Sequence, residues 1–283
     1  SNEQRGEMLD YLILDWLYRW RYSTEYVLLR LKLSTFGENE KEHDTKLRER
    51  FAKKNIDRTL PDHGRLTRSI SLANFRKKIT KMLKAGFVSK FDLSVGRTKF
   101  AYRITKAGMQ QLQKYSDRPI PIVNGGGVIT ARMASHDIAT QIAVISRIAY
   151  AVKRNIDFKY ATEKEFAKAV DKQGMKRPDA TFEIDDYVVS FEIELSHKTN
   201  KEIHQYFARN EALFESGRIN KVDYLFASEP LKNCYERILA LGEVPIYVYD
   251  ANKRRTITTN QRLKLDHAHL ISLKVMPELR EFM

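Results

Sequence analysis

Apolar positions recur at helical spacing through the first third of the chain. Met8, Leu9, Leu12, Leu14, Trp16 and Leu17 mark an amphipathic helix that ends before the polar stretch 19–22. Ser23-Thr24-Glu25 caps a second helix carrying Tyr26, Val27, Leu29, Leu31 and Leu33. Residues 35–69 are polar and punctuated by Gly37, Pro61 and Gly64, the pattern of a long insertion with a helical piece around 46–54. A third helix starts at Ser71 and puts Leu72, Phe75, Ile79, Met82 and Leu83 on one face. Gly86 follows it in the C-cap position. Two strands, 88–93 and 99–105, are joined by Ser94-Val95-Gly96-Arg97, and a helix over 106–115 closes the unit.

Pro119, Pro121 and Gly125-Gly126-Gly127 mark residues 116–133 as a linker. Beyond it helix and strand alternate. A helix over 135–154 turns Ile138, Ile142, Ile145, Ile148 and Ala149 inward, and a shorter one covers 162–170. Strands at 181–184 and 187–195, a helix 201–214, a strand 222–227, a helix 231–241 and a strand 245–249 complete the pattern. The expectation is an α+β protein with domains at 1–115 and 134–283, the second an α/β layer around a mixed sheet.

The 283 residues suit one large or two ordinary domains, and 42% hydrophobic with 11% aromatic composition excludes a disordered tail. No apolar run approaches the roughly 18 residues of a bilayer span. Cys234 is the single cysteine, which excludes an intramolecular disulfide and a Cys-rich zinc site. No signal peptide opens the sequence, and a cytoplasmic protein is expected. The net charge of +14 is concentrated: residues 1–133 hold 27 basic and 14 acidic side chains, and residues 66–115 hold 12 basic ones against Asp92. Such a block points to a polyanion. Asn74, Lys77, Lys78, Lys81 and Lys84 line the polar face of the third helix, and Arg97, Lys99 and Arg103 share one face of the second strand. The order helix, helix, insertion, helix, hairpin, helix is that of a winged helix-turn-helix. Its third helix would enter a major groove and its hairpin would touch the backbone of duplex DNA. The segments L-K-A-G-F-V and Y-R-I-T-K-A-G resemble those of many bacterial winged-helix proteins, over residues 5–115.

The segment R-P-D-A-T-F-E-I-D-D-Y-V-V-S-F-E-I-E-L-S-H-K holds the candidate chemistry. A two-residue turn at Asp185-Asp186 makes Ile184 face Tyr187, and counting outward sets Asp179 opposite Glu192. One face then gathers Asp179, Glu183, Glu192 and Glu194, and the other is apolar; a one-residue slip destroys that sorting. Opposed carboxylates repel, and a hard divalent cation relieves the repulsion.

Pro178-Asp179 followed by Glu192-Ile193-Glu194 resembles the PD-(D/E)xK nuclease core. The resemblance implies Asp179, Glu192 and Glu194 as ligands of Mg²⁺ or Mn²⁺ and Glu163 as an accessory helix carboxylate. Glu194 stands where that family usually has a lysine, which Lys198 or Lys201 would then supply. Over most of the chain, S-H-D-I-A, A-T-E-K-E-F, R-P-D-A and F-E-I-E-L-S-H-K-T are similar to plasmid replication-relaxation proteins and MobC-type mobilisation relaxases. That likeness implies metal-dependent nicking of plasmid origin DNA, with other mobilisation proteins as partners, and sets His136 at a family-like position. The alternative is an inactive winged-helix regulator of plasmid replication or transcription. His267-Ala268-His269 is a rival motif, the His-hydrophobe-His of rolling-circle enzymes, without a third histidine or a tyrosine pair placed to join it.

Overall fold

The computed structural model describes residues 2–36, 65–95, 98–117, 119–122, 129–169, 177–250 and 255–282. The chain is a mixed α+β protein with several sheets, and it divides into two compact units, Ser1–Ile156 and Asp157–Met283. Among the described residues no helix is long and apolar enough to cross a membrane.

In the first unit α1 (Asn2–Trp20), α2 (Glu25–Thr35) and α3 (Arg65–Lys84) precede a hairpin of β2 (Val88–Val95) and β3 (Thr98–Ile104). α4 (Lys106–Gln113) and α5 (Ala131–Arg154) follow. Ser23-Thr24 does two jobs. Thr24 caps α2 by accepting the Val27 N–H, and the pair forms a short strand, β1, against Tyr102 and Ala101 of β3. The sheet order is β1-β3-β2. α3 begins six residues before the expected Ser71, because no helix breaker follows Gly64. Its Phe75, Ile79 and Met82 are buried with Leu14, Leu17, Leu28 and Leu31. α3 ends at Gly86, whose φ of 71° is the left-handed cap glycine tolerates. In the T-K-A-G segment, Thr105 caps α4 by accepting the Gly108 N–H at 3.1 Å and donates to the Gly86 carbonyl at 2.5 Å. A Cβ on Gly108 would run into the Phe87 carbonyl, so a side chain is excluded there.

α5 departs from expectation. The pattern assigned it to the second domain, but it packs within the first unit, against α2 and β2. The division therefore falls between residues 156 and 157, beyond the predicted linker at 116–133. The reason is a polar cluster that apolar periodicity does not register. Gln141 is fully buried and its Oε1 accepts from Trp16 Nε1 (2.8 Å) and Ser23 Oγ (2.7 Å). Its Nε2 donates to the Tyr22 carbonyl (3.1 Å), and the Tyr22 hydroxyl donates to Asp137 (2.6 Å).

The second unit contains β4 (Lys159–Thr162), α6 (Glu163–Ala169), β5 (Ala180–Ile184), β6 (Tyr187–Glu194), α7 (Asn200–Glu215), β7 (Lys221–Phe226), α8 (Glu229–Leu239), β8 (Glu243–Asp250), β9 (Arg255–Lys264) and β10 (Ile271–Val275). Five strands form one sheet in the order β10-β7-β6-β5-β4. β4, β5 and β6 run antiparallel in turn, while β6, β7 and β10 run parallel, with α7 as the crossover from β6 to β7. β8 and β9 pair separately. The expected strand 245–249 lies inside β8; β4, β9 and β10 were not anticipated.

The β5–β6 register is the predicted one, with Ile184 opposite Tyr187 and Ala180 opposite Phe191. Asp185 and Asp186 take φ of 47° and 64°, the left-handed pair of a two-residue hairpin turn, which aspartate tolerates better than most residues. Ala180, Phe182, Phe191 and Ile193 are buried on one face. The opposite face, which gathers the carboxylates, is buried as well at Thr181, Ser190, Glu192 and Glu194. Phe207 of α7 and Tyr235 of α8 cover it, both meeting Tyr224, the β7 residue in register with Glu192.

Candidate active site and nucleic-acid interface

Asp179 stands just before β5 and clasps β6 on both sides of Glu192. Its N–H donates to the Phe191 carbonyl at 3.1 Å, and its Oδ2 accepts the Ile193 N–H at 2.7 Å. Glu192 and Glu194, two residues apart on one face of β6, are only 5% and 4% exposed. Lys198 Nζ lies 4.0 Å from Glu194 Oε2 and is itself largely covered. Lys198, one of the two candidate lysines, stands in the loop after β6. Lys201, the other candidate, reaches toward Tyr247 of β8. Glu163 is exposed at the first position of α6.

Two phenols back the carboxylates. The Tyr224 hydroxyl accepts from Asn210 Nδ2 at 2.7 Å. Burial pushes its pKa well up, the negative charges of Glu192 and Glu194 add to this, and the Asn210 hydrogen bond opposes it. The Tyr235 hydroxyl faces Glu194; burial first and the Glu194 charge second raise its pKa too. Both phenols are therefore harder to ionise than a free tyrosine and stay protonated at neutral pH. Neither was singled out from the sequence, because Leu231, Tyr235 and Ile238 on α8 have ordinary core spacing and Tyr224 sits in an apolar strand.

Among the described residues no three of His, Cys, Asp and Glu are grouped to hold one metal ion. Asp179, Glu192 and Glu194 do not form the expected three-ligand group. Asp179 spends one oxygen on the Ile193 N–H, and Glu194 is drawn to Lys198 and Tyr235. Asp179 and Glu192 carry oxygen donors alone. That fits Mg²⁺ or Mn²⁺, since Mg²⁺ ordinarily takes one or two carboxylates and completes its shell with water and substrate phosphate.

Comparison with protein-family models, with curated proteins and with solved structures finds no match. The geometry alone therefore carries the functional reading.

On α3, Asn74, Lys77, Lys81 and Lys84 are exposed. Lys78 is not part of that stripe: its Nζ sits 2.6 Å from Asp10 of α1 and donates to the Gly6 carbonyl at 3.3 Å. Arg76, one turn before the C-terminal lysines, pairs with Glu25 of α2 at 2.6 Å. On the hairpin, Lys99 is exposed beside Phe100, while Arg103 lies 4.1 Å over the Phe91 ring and is half-buried. Arg97 and the predicted helical piece at 46–54 lie outside the described residues.

The rival histidine motif is divided in its uses. His267 Nδ1 lies 2.7 Å from the buried Glu211, which also accepts the His267 N–H, and the ring stacks on Phe214. His269 is exposed. His136 belongs to α5 in the first unit, where its carbonyl accepts the Thr140 hydroxyl.

Proposed function

We propose that the chain binds duplex DNA through a winged-helix first unit and nicks one strand with a PD-(D/E)xK-type second unit, at a plasmid origin for mobilisation or replication. The observation that carries the reading is the Asp179–Glu192 hairpin. Asp179 bonds β6 on either side of Glu192, at the Phe191 carbonyl and the Ile193 N–H, the sheet runs antiparallel through β4, β5 and β6 and then parallel into β7, and Lys198 approaches from the end of β6. The exposed Asn74, Lys77, Lys81, Lys84 and Lys99 support the DNA-binding half.

In this reading Asp179 and Glu192 hold Mg²⁺ or Mn²⁺. When bound, the ion polarises the phosphodiester and makes a water acidic enough to attack. Glu194 holds Lys198, whose ammonium stabilises charge developing on the phosphate oxygens. Tyr235 keeps Glu194 oriented, and α7 and α8 exclude bulk water behind it.

The test is relaxation of supercoiled plasmid, followed on a gel with EDTA, Mg²⁺ or Mn²⁺. Wild type should give open circles only with metal, and Asp179→Ala and Glu192→Gln none, while all three bind DNA equally. A normal rate for Asp179→Ala would remove this site. The second reading is an inactive DNA-binding regulator. It is favoured by the Asp179 oxygen already bonded to Ile193 and by glutamate in place of the E-x-K lysine. Binding of origin DNA without open circles under any metal would select it.

A further inference from the structure

We propose that the face shared by α7 and the β8–β9 hairpin binds a single strand of DNA, holding its phosphates with Lys201 and Arg262 and stacking a base on Tyr247. This rests on the DNA-processing reading and adds a second contact surface to it. Three elements converge there. Lys201 and His204 stand one turn apart on α7. Tyr247 of β8 reaches both: its hydroxyl is 2.8 Å from His204 Nδ1, and the two rings stack at 6.0 Å between centroids and 21° between planes. Lys201 Nζ lies 5.8 Å from the Tyr247 ring centroid. From β9 comes Arg262, more than half exposed.

Burial and the Arg262 charge together hold the His204 pKa below its ordinary value, so the imidazole is neutral at neutral pH and serves as an aromatic, hydrogen-bonding wall. Glu243 takes one edge of the guanidinium, at 3.3 Å from Nε, and is itself nearly half exposed, so water screens that pair. A phosphate that met both Lys201 and Arg262 would gain from each charge. The pairing of cations with an aromatic ring selects among polyanions. A duplex hides its base faces in the stack, whereas an unpaired strand offers a phosphate and a free base face within one nucleotide. The place is suited to it too, since α7 begins two residues after Lys198, at the end of the strand that carries Glu192 and Glu194.

The experiment uses the full chain in EDTA, so that no cleavage intervenes. A fluorescein-labelled oligonucleotide of about 20 nucleotides and its duplex are titrated by anisotropy over a range of KCl. Tyr247→Leu should weaken single-strand binding at least about fivefold. Arg262→Ala should lower the single-strand salt slope by about 0.7. Neither should change duplex binding, and Tyr247→Phe, which keeps the ring and guards against a mere folding defect, should bind like wild type. The proposal is overturned if wild type does not bind the single strand. It is equally overturned if Tyr247→Leu and Arg262→Ala both bind it like wild type, or if they weaken duplex and single strand in equal proportion. Loss of the nicking activity in the plasmid assay would strike the catalytic reading and leave this surface standing.

Discussion

At the scale of single residues, the sharpest consequences come from buried polar groups. Gln141 takes two donors on one oxygen, and replacing it with leucine strands the Trp16 indole N–H and the Ser23 hydroxyl in the core. A buried donor left without its acceptor costs about 1–3 kcal/mol, so Gln141→Leu should destabilise the first unit by about 3 kcal/mol. Both tryptophans of the chain, Trp16 and Trp20, lie on α1, so fluorescence during urea unfolding reports that unit alone. A loss under about 1 kcal/mol would mean the network is replaceable by packing. Tyr235 gives a prediction in pH. Its pKa is raised in the fold and ordinary, about 10, in the unfolded chain. Below pH 10 both states hold the proton and the stabilisation is complete. Above it the unfolded state releases a proton that the folded state keeps, so stability falls as pH rises, by about 1.4 kcal/mol per pH unit for each such phenol. Tyr235→Phe should therefore flatten the alkaline decline in urea stability measured by circular dichroism between about pH 10 and 11. An unchanged slope would show that the phenol is not held protonated.

Among the elements, α3 separates two kinds of lysine that the sequence could not. Lys77 and Lys81 are exposed, while Lys78, one position along, is tied to Asp10 and the Gly6 carbonyl. Lys77→Ala and Lys81→Ala should each weaken duplex binding and lower its salt slope by about 0.9. Lys78→Ala should leave the slope alone and cost up to about 1 kcal/mol of stability, the range of a partly exposed ion pair. Anisotropy at several salt concentrations distinguishes them; a reduced slope for Lys78→Ala would return it to the interface. The same helix shows what was legible. Phe75, Ile79 and Met82 announced their buried face by spacing, and the hairpin register followed from alternation around Asp185-Asp186. Spacing says which face of an element is apolar, not what covers it. Hence α5 was assigned to the wrong unit, and the cover over the carboxylate face of β6 went unread, because Phe207 and Tyr235 supply it from elements that follow it in sequence. The short strands β4 and β10, four and five residues long, carry too little alternation to be read alone.

At the scale of the whole molecule, charge divides where the fold does. Residues 1–156 hold 30 basic and 15 acidic side chains, and residues 157–283 hold 20 and 21. Duplex DNA is a dense line of negative charge, and non-specific affinity for it comes almost wholly from cations that displace its counterions. If the chain binds duplex DNA as proposed, the unit of net +15 should carry that affinity, while the nearly neutral one contributes only where its cations cluster. The fragment 1–156 should bind duplex with the salt slope of the full chain, and 157–283 should bind it weakly or not at all at physiological salt. The boundary matters to the outcome. A fragment ending at residue 115 keeps the lysines of α3 but loses α5, and with it the acceptor for Trp16 and the apolar stripe Ile138, Ile142, Ile145 and Ile148. It should melt without cooperativity and bind poorly, although every residue of the proposed DNA-binding surface is present. If 1–115 instead folds and binds like 1–156, α5 is dispensable to the first unit. A cooperative thermal transition monitored on both fragments decides between the two.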